Sequence, residues 1–218
     1  MSSDAELLNA WREGDRTAGA SLFSRHYASI ARFFRNKVGD GDSADLIQKT
    51  FLACVETRER FRGDASFRTY LFAVARNVLG KHYRSRRRHG DRLDFGVTSV
   101  HDLAPSPTQV LARSSEQRLL LQGLRRIPLD AQVILELYFW ERMKAAEIAA
   151  ILGIPEGTAR TRIRRAKQLL EQAMLQIGTS RAIIESTLSG LDRWAAQVRE
   201  HLLSEEDEGA GEGEDLSG

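Results

Sequence analysis

Apolar residues recur at steps of three and four along most of this chain, and the pattern breaks only at Gly, Pro or short polar clusters. That period marks helices that each bury one face. Composition agrees, because aromatic residues make up only 7% and prolines number four, while Leu, Ala, Arg and Glu recur throughout. Sandwiches of β-branched and aromatic strands are not expected, and the class read from the residues is all-α. At 218 residues with 42% hydrophobic content, the chain is long enough to bury a core in one or two domains.

From Asp4 to about Arg88 four helices are expected, with breaks at Gly14-Asp15, Gly39-Asp40-Gly41-Asp42 and Arg62-Gly63-Asp64. Residues 90–112 lose the period and gain Gly90, Gly96, Pro105 and Pro107 among Ser, Thr and Asp, the composition of an extended, flexible connector. Periodicity returns near Ser114, breaks at Ile127-Pro128 and Gly153-Ile154-Pro155, and continues to about Ile177. Beyond it Ile183, Thr187, Leu191, Trp194, Val198 and Leu202 form the stripe of a further amphipathic helix. The expected organisation is therefore 1–89, a first helical domain; 90–112, a linker; 113–178, a second, smaller helical domain; 179–203, a docking helix; and 204–218, a disordered acidic tail.

The formal net charge of +2 conceals an asymmetry: residues 204–218 hold seven acids and no Lys or Arg, so the rest of the chain carries +9. A basic body with an acidic tail suits a nucleic-acid partner. The single cysteine, Cys54, excludes an internal disulfide and a Cys-based zinc site, and its apolar surroundings predict a buried thiol. No apolar run approaches the ~18 residues of a membrane span. The N-terminus is acidic where a signal peptide is basic, so a cytoplasmic protein without membrane insertion is expected. His26, His82, His89, His101 and His201 lack metal-ligand spacing, and no Gly-rich phosphate loop or nucleophile elbow is present. Neither enzymatic activity nor a metal or cofactor is expected.

Three helical faces carry functional chemistry. Residues 145–167 read as helix, tight turn, helix; Ala159, Ile163, Ala166 and Leu170 line one side of the second helix, while Arg160, Thr161, Arg164, Arg165 and Gln168 fill an arc of about 140° opposite. A helix fits the major groove, where Arg bonds guanine bidentately or neutralises phosphate, so this is a helix-turn-helix, with a merely solvated basic face as the alternative. In residues 67–78 the inward stripe is Phe67, Leu71, Val74 and Val78. Tyr70, Asn77, Lys81 and Arg84 share one flank, which suits an unpaired strand: an aromatic plane to stack on, an amide to read a base edge and cations along the backbone. Tyr70 as plain core and Asn77 as ordinary surface is the competing reading. The third face follows an N-cap at Asp42 or Ser43: Ile47, Phe51 and Cys54 point inward, and Asp45, Gln48, Lys49, Leu52 and Glu56 share an outward arc. Leu52 is the lone apolar member, either an incidental exposed Leu or an interface anchor.

These faces, in this order on either side of a linker, resemble bacterial RNA polymerase sigma factors of the extracytoplasmic-function group in the sigma-70 family, over about residues 5 to 177. Residues 45–51 resemble the segment that binds the polymerase clamp. Residues 61–71 with Ala75-Arg76-Asn77 resemble the promoter-melting segment, and residues 157–166 the second DNA reader. The resemblance implies that Asp45, Gln48, Lys49, Leu52 and Glu56 contact core RNA polymerase. It implies that Tyr70, Asn77, Lys81 and Arg84 serve the minus-ten element of promoter DNA, and Arg160, Thr161, Arg164 and Arg165 the minus-thirty-five element. An anti-sigma factor is a further partner that the family admits. Tyr70 departs from the family's usual Trp, and the stretch after residue 178 exceeds the usual ending. A free-standing helix-turn-helix repressor or activator would explain the second domain but leave Tyr70, Asn77 and Leu52 unused. A nucleic-acid-processing enzyme would need clustered carboxylates, whereas Asp91, Asp94 and Asp102 fall in the linker.

Overall fold

The computed structural model describes residues 2–35, 37–58, 65–86, 94–103 and 115–177, together with 182, 184 and 189–191. Four helices form the first unit: α1 (Asp4–Arg12), α2 (Arg16–Arg35), α3 (Asp40–Glu56) and α4 (Phe67–Arg86). After the short α5 (Val100–Leu103), the second unit comprises α6 (Ser115–Arg126), α7 (Leu129–Leu135), a π-helical turn (Glu136–Trp140), α8 (Ala145–Leu152) and α9 (Glu156–Gln176). No strand is present among the described residues, in agreement with the all-α expectation.

Helix ends follow local chemistry. Ser3 and Glu6 close a capping box at α1, the Ser3 N–H donating to Glu6 Oε2 at 2.6 Å and the Glu6 N–H to Ser3 Oγ at 3.3 Å. Asp15 Oδ1 accepts from the N–H groups of Thr17 and Ala18, which opens α2 directly after Gly14 (φ +105°). The start of α3 corrects the sequence reading: its N-cap is Gly39, in extended backbone, not Asp42 or Ser43. Acidic residues in a first helical turn are favoured by the macrodipole, so the Asp-Gly-Asp run extends the helix backwards.

In the first unit α2 packs on α1 and α3, and α3 on α4. An aromatic chain runs through this core, with Trp11 edge-on to Phe23 (5.1 Å between centroids), Phe23 against Phe51 (4.9 Å) and Phe33 edge-on to Phe72 (5.7 Å). In the second unit α6, α7 and α8 all pack on α9.

The units also pack on each other, through α4 against α8. This changes which side of α4 is buried. The expected stripe is right at Phe67 and Leu71, but Val74 and Val78 are half-buried, while Phe72, Ala75, Leu79 and Tyr83 are sequestered. A second unit covers the side that a lone four-helix unit would leave to solvent. Around this contact the charges are paired. Arg32 donates through Nε and Nη2 to Glu141 Oε1 (3.1 and 3.0 Å), and Arg68 Nη2 reaches Glu141 Oε2 and its carbonyl at 2.6 Å each. Arg76 Nη2 bonds Asp130 Oδ1 at 2.9 Å. Lys37, fully buried between α2 and α3, donates to Glu136 and to the Phe33 carbonyl. Burial pushes the Lys37 ammonium below its usual range, and the Glu136 carboxylate pulls part of the way back. The π turn serves this arrangement: its i→i+5 bond, Glu141 N–H to Glu136 carbonyl at 3.1 Å, sets the two acids one turn apart on the same side.

Residues 94–103 of the expected linker are not an extended connector. Phe95 packs on α4 at Gly80, Val100 is buried, and the Leu129 and Asp130 N–H groups donate to the Thr98 and Phe95 carbonyls at 2.9 and 3.0 Å. The first N–H groups of α7, which follow Pro128, have no partner within their own helix, so the passing segment caps them. Beyond α9, Leu191 of the expected stripe is buried, and so is Ile184 seven residues earlier. Ile183, Thr187, Trp194, Val198, Leu202 and the acidic tail lie outside the described residues.

Two glycines give contrasting outcomes. A Cβ on Gly19 would stand 2.5 Å from the Trp11 ring, so Gly19→Ala should lose about 1–3 kcal/mol by overpacking. Nothing lies within 4 Å of such a Cβ on Gly41, inside α3, and Gly41→Ala should gain about 0.4–1 kcal/mol. Urea denaturation of the pair checks both signs. Burial pushes the Cys54 thiol up to about 12, so DTNB should titrate it only after unfolding.

Candidate nucleic-acid interface

The basic arc of α9 is presented as its sequence predicts. Gly153 turns the chain after α8 in the left-handed region (φ +65°), where a glycine carries no Cβ penalty, and the Ile154 N–H closes back on the Ala149 carbonyl at 3.1 Å. Two residues later Glu156 begins α9, whose Ala159, Ile163, Ala166 and Leu170 are buried against the rest of the unit. Arg160, Thr161, Arg164 and Arg165 are all exposed on the opposite side. Thr161 Oγ1 donates to the Gly157 carbonyl, and Arg160 grips Glu156 Oε1 through Nε and Nη2 at 3.1 and 2.6 Å. Arg160 remains 72% exposed and the pair is solvated, so the bond orients the guanidinium without tying it down. Lys167 instead turns inward, its ammonium 4.9 and 4.8 Å from the Tyr138 and Phe139 ring centroids.

On α4, Asn77, Lys81 and Arg84 are exposed along one flank. Tyr70 is on the same flank but half-buried: its hydroxyl is hydrogen-bonded to Thr57 Oγ1 at the end of α3, and its ring leans on Phe67 (6.3 Å, 49°). Burial pushes its phenol pKa upward, partly opposed by the Thr57 bond. The aromatic plane is thus anchored at its polar tip. The Phe61–Asp64 part of the adjoining motif lies outside the described residues.

The α3 face is exposed at Asp45, Gln48, Lys49, Leu52 and Glu56, with Lys49 paired to Asp45 at 2.6 Å. Leu52 is not alone there. Val55 is exposed beside it on the next turn, and Tyr27 of α2 is exposed with its ring parallel to Phe51 (6.3 Å, 9°). Val55 was findable at three residues from Leu52 on the helix. Tyr27 was not, because only tertiary packing brings α2 there.

The Tyr70 flank of α4 points away from the contact between the units. At 100° per residue, Arg68, Phe72 and Leu79 lie roughly 160–180° around α4 from Tyr70. Among the described residues no cluster of His, Cys, Asp and Glu could hold a metal ion, and no helix is long and apolar enough to cross a membrane.

Two family models match the chain, one described as Sigma-70 region 2 over residues 22–89 and one as Sigma-70, region 4 over residues 117–170, together more than half of it. An ECF RNA polymerase sigma-E factor from Haemophilus influenzae is 26% identical over 179 residues, covering 78% of this chain and 94% of its own length. The sigma-E factor of Escherichia coli K12 is 24% identical over 177 residues, with 78% and 93% covered. Among solved structures, CnrH in complex with the cytosolic domain of CnrY superimposes with a TM-score of 0.60 at 24% identity, covering 81% of this chain and 99% of that one. The sigma factor RpoE in complex with the anti-sigma factor NepR from Bartonella quintana gives a TM-score of 0.51 at 20% identity, with 72% and 94% covered.

The Tyr70 hydroxyl separates structure from recognition. Tyr70→Phe should cost about 0.5–1.5 kcal/mol through the lost bond to Thr57, whereas Asn77→Ala should stay within about 0.5 kcal/mol of the parent. Chemical denaturation of the free protein measures both.

Proposed function

The chain belongs to the sigma-70 family of RNA polymerase sigma factors, in its extracytoplasmic-function group, and from that premise we propose how its surfaces divide the work of promoter recognition and transcription initiation. The first unit, residues 1–89, binds core RNA polymerase through Asp45, Gln48, Lys49, Leu52 and Glu56. It holds unpaired minus-ten bases along Tyr70, Asn77, Lys81 and Arg84. The second unit, residues 113–178, sets α9 in the major groove of the minus-thirty-five element, with Arg160, Thr161, Arg164 and Arg165 toward bases and phosphates. Residues 90–112 join the two. Catalysis belongs to the polymerase; the factor is a non-enzymatic cytoplasmic partner of it. An anti-sigma protein, such as the one seen with RpoE of Bartonella quintana, is a further partner.

The observation that carries this reading is the exposure of two different nucleic-acid surfaces on one chain: a basic helix arc for duplex on α9, and an amide-and-cation flank for single strand on α4. A helix-turn-helix repressor needs only the first. Leu52, with Val55 and Tyr27 around it, supplies the apolar centre that a protein interface requires.

Co-purification with core polymerase, followed by transcription from a promoter fragment, tests the assignment. Leu52→Asp should abolish co-elution while leaving the circular dichroism unchanged, since an exposed position contributes little to folding; undiminished co-elution would remove Leu52 from the interface. Asn77→Ala should reduce permanganate reactivity in the melted region and spare binding to the duplex upstream element. Arg165→Ala should lose about 1–3 kcal/mol of binding and relax preference at one base pair. A uniform loss across sequences, with the salt slope reduced by about one, would mark Arg165 as a phosphate contact instead.

A further inference from the structure

Thr57 ends α3, one residue after Glu56 of the face assigned to polymerase, and its N–H returns to the Ala53 carbonyl at 3.1 Å. Its hydroxyl is engaged twice. Thr57 Oγ1 donates its one proton to the same Ala53 carbonyl at 2.5 Å, so in the bond between Thr57 Oγ1 and the Tyr70 hydroxyl the phenol is the donor. The first bond is local, the usual back-bond of a threonine to the preceding helical turn. The second joins the end of α3 to the first turn of α4, 13 residues further along the chain. Thr57 belongs to none of the three faces assigned to polymerase or DNA.

Resting on the sigma-factor reading, we infer that Thr57 is a positioning residue for the minus-ten strand: through the Tyr70 hydroxyl it holds the aromatic plane in the orientation in which an unpaired base stacks on it. Thr57 itself touches no base. Two supports fix the ring. Its tip is tied by Thr57, and its body leans on Phe67 (6.3 Å), whose own buried ring packs against Phe23 (6.3 Å) and His26 (5.7 Å). A phenylalanine ring at this position would keep only the second support and regain freedom about its side-chain bonds. Ordering such a side chain at the moment of binding weakens an interaction roughly 3- to 10-fold, whereas the Thr57 bond orders it during folding. The same bond ties the stacking plane to the helix that presents Leu52, Val55 and Glu56. A polymerase seated on α3 therefore steadies the element that holds the tip of Tyr70.

The test compares Thr57→Val, which keeps the branched shape and removes the hydroxyl, with Thr57→Ser, Tyr70→Phe and the pair Thr57→Val with Tyr70→Phe, all in the full-length factor bound to core polymerase. The probe is single-stranded DNA of the minus-ten element from a promoter that this holoenzyme transcribes, with 2-aminopurine at each position in turn, whose fluorescence stacking quenches. Thr57→Val should weaken binding of the strand roughly 3- to 10-fold and leave the bound 2-aminopurine less quenched. The loss should be the same at low and high salt, because no phosphate contact is removed. Thr57→Ser should restore both readouts. Tyr70→Phe should lose as much as Thr57→Val, and the pair no more than either alone. Parental affinity and quenching in Thr57→Val or in Tyr70→Phe would overturn the inference, as would losses that add in the pair. Lowered folding stability with quenching unchanged in the bound complex would mark a structural role alone and equally overturn it. Should Thr57→Val unfold, Tyr70→Phe decides, because it removes only the phenolic oxygen. Should the unaltered factor fail to assemble with core polymerase, the sigma-factor reading falls by itself, and the same strand offered to the free factor decides the positioning.

Discussion

Taking lysine and arginine out of water costs several kcal/mol per ion unless each charge meets a counter-charge with its remaining bonds filled. Lys37 is fully buried, and Arg32 and Arg68 share one buried carboxylate, that of Glu141. The acids that answer them are 73 to 109 residues away in the chain, so the first unit by itself would leave these cations without their carboxylates. Docking of the second unit satisfies them, and in the same movement covers Phe72, Leu79 and the rest of that side of α4. The fold thus couples an apolar gain with an electrostatic requirement, and α4 becomes the shared wall of both units.

The three outward faces were legible in the sequence because each needs only one helix. Ala159, Ile163, Ala166 and Leu170 repeat at helical spacing, and once they face the core the exposure of Arg160, Thr161, Arg164 and Arg165 follows from geometry. The break at Gly153 was legible for the same local reason. What could not be read was any property that depends on a second element. Val74 and Val78 have the same apolar character as Leu79, and only the packing of other helices on α4 decides which of them is sealed off. The segment 94–103 has the composition of a turn as much as of a tether. Its docking is decided by the unpartnered N–H groups of α7, which a linear pattern does not reveal.

The pairing also shapes the surface electrostatics. Asp130, Glu136 and Glu141 are engaged by cations of the first unit and do not oppose the basic arc of α9. Apart from the acidic tail the chain carries +9, and part of that charge stands on the surface read as facing DNA. Charges at the contact are matched within it, and the exposed Arg160, Arg164 and Arg165 of α9 remain available to attract a polyanion.

The π-helical turn at Glu136–Trp140 constrains how this segment can change in length. Five residues separate Glu136 from Glu141, and the i→i+5 bond brings them to one side of the helix. In an α-helix the same five residues would advance 500° and leave the two about 140° apart. Excising one residue from the turn would let it relax into ordinary α-helix, yet it would also shift the register of everything after it. Substitutions in this stretch are therefore judged by what each side chain packs against, while insertions and deletions are judged by whether both carboxylates still face Lys37 and Arg68. The spacing of Glu136 and Glu141 should accordingly be more resistant to change in length than the residues between them are to change in identity.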